Sequence, residues 1–194
     1  MKSIVRPALS LFLALTVLCC VLYPLAMTGI GKLVFAEQAA GSLVVRGGQT
    51  IGSELIGQAF SSAGYFWGRP SATSPMPNNA VSSGGSNLGP TNPALIDAVK
   101  GRIDALKAAD PGNGTPVPVD LVTASGSGLD PEISLAAAYY QAPRIARARQ
   151  VPLQRVRAMI EQRQAVQYFG FFGEPRVNVL ALNLALDQAP AHVN

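Results

Sequence analysis

The sequence predicts an α+β protein: a single N-terminal transmembrane helix followed by one small mixed α/β soluble domain. Three observations carry this. Arg6 and Lys32 enclose 25 positions without a charge. Only 13% of the 194 residues are charged, about half the share usual in soluble domains. The 19 glycines and 15 prolines are too many for an all-helical bundle, and beyond the anchor helix-period runs alternate with short strand-like ones. The expected division is an anchor over residues 1–36 and a soluble domain over 37–194.

The run from Ala8 to Tyr23 is apolar on every face. At about 1.5 Å rise per residue, the uncharged stretch reaches roughly 37 Å as a helix, enough to cross a hydrocarbon core of about 30 Å. Pro24 is expected to kink the outer third or to mark the approach to the interface beside Tyr23. A cleaved signal peptide competes, with Lys2 and Arg6 as its basic start and Val34-Phe35-Ala36 as its cleavage site. The apolar stretch exceeds the 7–15 residues typical of such a core, which favours the retained anchor. Lys2, Arg6 and the terminal amine precede the span, while only Lys32 follows it before Arg46. Basic residues stay in the cytoplasm, so the N-terminus is expected inside and the domain outside. Both cysteines, Cys19 and Cys20, lie within the span.

Past the anchor, Leu43 to Gly52 reads as a hairpin around Gly47-Gly48. Ser53 to Phe60 fits a strand or a helical turn. The aromatic knot Tyr65-Phe66-Trp67 suits a small core better than a docking site. A long Ser/Asn/Gly/Pro loop follows from Ala72. A helix is predicted from Pro93 to Ala109, with Leu95, Val99, Ile103 and Leu106 on one face. Asn92 is its cap and Pro93 its first residue. Val119–Thr123 is a strand candidate. A helix is expected from about Ile133 to Arg149, kinked or broken at Pro143, and another from Val151-Pro152 to about Gln164. For Pro175–Gln188, strand-like alternation competes with a Leu/Ala-rich helix, and the helix is favoured.

Two Ser/Gly loops, Ser82–Pro90 and Ser125–Pro131, each end Leu-x-Pro and feed a helix. Such loops either cradle an anion at a helix N-terminus or simply turn the chain and cap helices. No Gly-x-x-x-x-Gly-Lys pattern occurs in them, which favours the structural role. Arg144, Arg147, Arg149, Arg155, Arg157 and Arg163 face a single acid, Glu161. This run is read as a solvated face, an anionic-lipid contact or a dock for an acidic partner. Gln141 and Arg144 share a face at i, i+3 and could reach back toward an anion in the second loop. His192, the single histidine, sits near the end of the chain, so no nucleophile–base pair is evident. Asp130 before Pro131 reads as a turn or cap residue. Neither catalytic nor metal-ligating residues are assigned, and a net charge of +4 gives no reason to expect a nucleic-acid partner.

Taken together, Gly52-Ser53-x-Leu55-Ile56-Gly57-Gln58, Tyr65-Phe66-x-Gly68-Arg69-Pro70-Ser71, Ser83-Gly84-Gly85-Ser86-Asn87-Leu88-Gly89-Pro90, Asp120-Leu121-Val122-Thr123-Ala124-Ser125-Gly126-Ser127-Gly128-Leu129-Asp130-Pro131 and Gly173-Glu174-Pro175-Arg176-Val177-Asn178 resemble the C subunit of the bacterial Kdp potassium-transporting P-type ATPase. The resemblance implies a non-catalytic, single-pass accessory subunit of a high-affinity potassium uptake pump in the cytoplasmic (inner) membrane. The implied partners are a potassium-selective A subunit, an ATP-hydrolysing B subunit, a small F subunit and membrane lipid. It also implies a catalytic chaperone that raises the ATP affinity of the B subunit. ATP, met directly or only through that subunit, would then contact Ser125, Gly126, Ser127, Gly128, Gln141 and Arg144. Glu132 and Leu135 depart from the family's Asp-Pro-His-Ile-Ser-Pro pattern, so no imidazole role carries over. A chaperone of ATP binding needs a cytoplasmic domain, whereas the charge count puts this one outside. The alternative is an extracytoplasmic cap near the potassium entrance of the A subunit, without nucleotide contact.

Overall fold

The computed structural model describes residues 2–188, with side chains from residue 4. His192 lies outside the described residues. The chain divides into two compact units, one ending at Leu43 and one beginning at Val44.

In the first unit, Ile4–Val34 forms 31 helical residues, long and apolar enough to cross a membrane. It comprises α1 (Lys2–Val17), a π-helical stretch at Leu18–Leu22, and α2 (Tyr23–Val34). The widening has a local cause. Pro24 has no N–H and its ring crowds the preceding turn, and the Tyr23 N–H reaches back five residues to the Leu18 carbonyl. The ladder is therefore adjusted just ahead of the proline, and the helix continues to Val34. A single turn, α3 (Ala36–Ala39), follows.

The second unit opens one residue into the ribbon of β1 (Leu43–Arg46) and β2 (Gln49–Ser53). Gly47 and Gly48 both have positive φ, 59° and 78°, the geometry a two-residue turn demands. Residues 54–92 contain no helix or strand, so Ser53–Phe60 is neither element beyond the end of β2. Helix α4 spans Pro93–Ala109, as its periodicity predicts, and the Asn92 side chain accepts from Ala94 N–H at 3.0 Å. The expected strand at Val119–Thr123 is instead a 3₁₀ turn, Val119–Leu121. Leu121 and Val122 are both buried. Consecutive burial suits a turn tucked under the core, whereas a strand would alternate.

Two strand–helix joints organise the rest. Strand β3 (Glu132–Ser134) runs directly into α5 (Leu135–Arg149), and β5 (Arg176–Asn178) into α7 (Val179–Gln188). In each, the last strand residue caps the helix: Ser134 Oγ accepts from Ala137 N–H at 3.0 Å, and Asn178 Oδ1 from Ala181 N–H at 3.0 Å. Each joint thus combines a strand with a helix, where a helix was expected from about Ile133 and favoured over a strand from Pro175. The β-branched Ile133 and Val177 suit a strand, and they pair across the antiparallel ladder as buried neighbours. Helix α6 (Leu153–Arg163) leads into the short β4 (Gln164–Ala165), which pairs with the other side of β5, giving the order β3-β5-β4.

Helix α5 runs through Pro143 without a break. Its Ala142 and Ile145 are fully buried, and tertiary packing outweighs one lost backbone hydrogen bond. The core joins Phe66, Ile133, Ile145, Val156, Ile160, Val177 and Leu182. Asn92→Ala is expected to lower stability by about 1 kcal/mol, measured as a drop in thermal unfolding midpoint with the helix otherwise retained.

Candidate functional site

The polar centre of the domain lies under the aromatic knot. Phe66 N–H donates to Asn183 Oδ1 at 2.8 Å, and Asn183 Nδ2 donates back to the Phe66 carbonyl at 3.0 Å. One residue on, Trp67 N–H donates to Gln141 Oε1 at 2.8 Å, and Gln141 Nε2 returns a bond to the Trp67 carbonyl at 3.1 Å. Two buried amides, one from α7 and one from α5, thus pair with consecutive backbone units as a neighbouring strand would. Gln141 and Asn183 are 1% and 2% exposed, and an unpaired amide at either place would be costly.

Arg144 closes the arrangement. Its Nη2 donates to Gln141 Oε1 at 2.8 Å and to the Tyr65 carbonyl at 3.0 Å. Its Nη1 donates to the Ala63 carbonyl at 2.5 Å, and the guanidinium lies 4.4 Å from the Trp67 ring centroid. Burial pulls its pKa down to about 10, while Asp110 and Tyr140 push the other way. Gln141 Nε2 has a second acceptor in the Ala137 carbonyl at 3.3 Å. All of these partners belong to the protein itself.

The two Ser/Gly loops meet each other. Gly84 N–H and Ser83 Oγ both donate to the Ser127 carbonyl, at 2.8 and 2.9 Å. A Cβ on Gly85 would stand 2.9 Å from the Gly126 carbonyl oxygen. Gly128 has φ +68°, and a Cβ there would lie 2.5 Å from Thr73 Cγ2 and 2.6 Å from the Gly84 carbonyl oxygen. Ser71 Oγ donates to the Gly128 carbonyl at 2.7 Å and accepts from Asn78 N–H at 2.9 Å. Gly85 and Gly128 are therefore required by close backbone approach. Ser125 is buried, its N–H donating to the Pro70 carbonyl at 3.0 Å.

The residues named from the sequence fall into two groups. Gln141 and Arg144 touch each other and grip residues 62–67. Ser125, Gly126, Ser127 and Gly128 pack on residues 70–73 and 83–85. Among the described residues no hydrogen bond joins the groups. Asn183 was missed, although one amide inside the apolar Leu180–Leu186 run was a usable signal.

The arginine run separates by position. Arg147 pairs with the buried Asp110. Arg149 bonds Asp187 at 2.8 Å and stacks on the Tyr65 ring. Arg157 and Arg163 are exposed. Asp130 takes the turn role expected of it, Oδ1 accepting from Glu132 N–H at 3.0 Å, and also pairs with Arg69 at 3.1 Å. Glu132 pairs with Arg176 at 2.6 Å, and that bond raises the arginine's pKa.

Residues 5–188 match the family model described as K+-transporting ATPase, c chain (KdpC). The chain belongs to the KdpC family. It is 72% identical over 188 residues to the potassium-transporting ATPase KdpC subunit of Janthinobacterium sp. (strain Marseille), covering 97% of this chain and 100% of that one. The subunit of the same name from Herminiimonas arsenicoxydans is 73% identical over 188 residues, covering 97% and 99%. That of Variovorax paradoxus (strain S110) is 62% identical over 191 residues, covering 98% and 99%. In this KdpC-family chain the resemblance read from the motifs is thus shown along almost the whole sequence.

Gln141→Leu removes the amide that pairs with the Trp67 backbone. It is expected to cost about 2–4 kcal/mol in chemical unfolding, with a red shift of Trp67 emission. Gly128→Ala is expected to cost about 2–4 kcal/mol from strain and overpacking, read as a lowered unfolding midpoint.

Proposed function

We propose that this chain is a membrane-anchored, non-catalytic accessory subunit of an ATP-driven potassium uptake assembly. Its domain lies outside the cytoplasm and stabilises the complex near the potassium entrance of the A subunit. The observation that carries this reading is the closed state of Gln141 and Arg144, whose hydrogen-bonding groups are engaged by the protein's own backbone and by each other. These residues act as a brace. The acids support the same reading, since Asp110, Asp130, Glu132 and Asp187 each pair with an arginine. Asp120 accepts from the N–H and hydroxyl of Ser134 at 2.7 and 3.1 Å. The orientation rests on Lys2 and Arg6 ahead of the span against Lys32 behind it.

A contact surface for the assembly is available on the turn after β4. Tyr168, Phe169, Phe171 and Phe172 are 65%, 89%, 69% and 58% exposed, an aromatic concentration that marks interaction sites on soluble surfaces. The second reading, a chaperone raising the ATP affinity of a B subunit, draws its support from the paired Ser/Gly loops. Ser127 is exposed there, its Oγ accepting from Leu129 N–H.

Deleting residues 1–36 is expected to release the domain from the assembly, measured by co-purification; an unchanged complex refutes the anchor role. A reporter fused after residue 194 is expected to be active only when it requires an extracytoplasmic setting. Photo-labelling with an ATP analogue is expected to be indifferent to Ser127→Ala. Gln141 variants are unsuitable here, because loss of the brace would abolish labelling by any route. Labelling that depends on Ser127, with a cytoplasmic reporter, replaces the cap with the chaperone.

A further inference from the structure

A cavity of about 330 Å³ opens beside the aromatic knot, lined by Phe60, Trp67, Arg69, Pro70, Arg102 and Leu106 among others. Its size and mostly apolar wall with a few polar groups are those of small-ligand sites. Two arginines and, among the described residues, no carboxylate line it. Arg102 is half-buried and bonds the Val122 carbonyl through Nη1 at 2.7 Å. No acid among the described residues pairs with it, and burial lowers its pKa. Arg69 donates through Nη1 to Asp130 at 3.1 Å and through Nη2 to the Ala124 carbonyl at 3.5 Å, while its Nε is buried without a partner. A partly desolvated cation without a counter-charge favours an anion, and guanidinium groups match the oxygens of phosphate. The Trp67 and Phe60 rings offer a flat apolar body a place to lie.

We propose that this cavity binds a small organic phosphate, with Arg102 and Arg69 on its oxygens and Trp67 beside its body. The site is separate from the Ser/Gly loop pair and does not depend on the pump reading. Either a free metabolite with a ring or the glycerol phosphate of a lipid headgroup can present this chemistry.

Trp67 is the chain's single tryptophan, so intrinsic fluorescence reports on the cavity directly. The full-length chain in detergent is titrated with phenyl phosphate, glycerol 3-phosphate and inorganic phosphate. A saturable change in Trp67 emission is expected with at least one ester, weaker with inorganic phosphate. A preference for phenyl phosphate assigns a ring-bearing ligand, and a preference for glycerol 3-phosphate a lipid headgroup. Arg102→Gln is expected to weaken binding about tenfold or more, the size of one lost charge-assisted contact. Ala105→Phe, at an exposed position on the cavity wall, removes no side-chain hydrogen bond and is expected to block binding by filling the space. Thermal unfolding of each variant separates lost binding from lost fold. No saturable signal with any probe overturns the proposal, as does unchanged ester binding in both variants. A signal that appears only on adding a partner subunit overturns it too, and makes the cavity a protein contact.

Discussion

The backbone of Phe66 and Trp67 is held by side chains rather than by a strand. Asn183 and Gln141 each offer one acceptor and one donor, and each returns both bonds to a single residue. This pairing lets a segment without regular structure cross the interior with its peptide groups satisfied. It also places Phe66, fully buried, at the centre of the core. The geometry of the aromatic knot, and of the cavity beside it, follows from these four bonds. Arg144 then fixes the carbonyls leading into the segment.

The two amides stand where they do because their helices start in the same way. Each follows a short strand whose final residue caps it, and the strands pair through Ile133 and Val177. Asp120 secures the first joint by accepting from the N–H and hydroxyl of Ser134. Val179 N–H donating to the Pro131 carbonyl at 2.9 Å ties the second joint to the first. The brace is consequently tied down at its base, and the aromatic turn of residues 168–172 lies between β4 and β5 of the same sheet.

Periodicity was enough where one face meets the core and the cap is local. Helix α4, with Asn92 and Pro93, was legible to the residue, and so was the Gly47-Gly48 turn. It failed where three residues, only the middle one buried, make a strand before a helix, because Glu132–Ser134 and Arg176–Asn178 are too short to show a period of two. The arginine run was legible as charge but not as function. Nothing local marks Asp110 and Asp187 as the partners of Arg147 and Arg149, which lie 37 and 38 positions away. The Ser/Gly loops were recognised as a pair, yet only the fold shows that they pack on one another. Gln141 and Arg144 were singled out together, and they do touch; the segment they grip, more than seventy positions earlier, was not readable from their spacing.

The widened turn at Leu18–Leu22 sets the anchor apart from a featureless apolar rod. A proline withholds the N–H that an earlier carbonyl would have received, and hydrocarbon offers no substitute donor. The wider turn meets this from within the helix, where the Tyr23 N–H reaches the Leu18 carbonyl. The two halves, α1 and α2, are thereby set out of the register that one unbroken α-helix would give them.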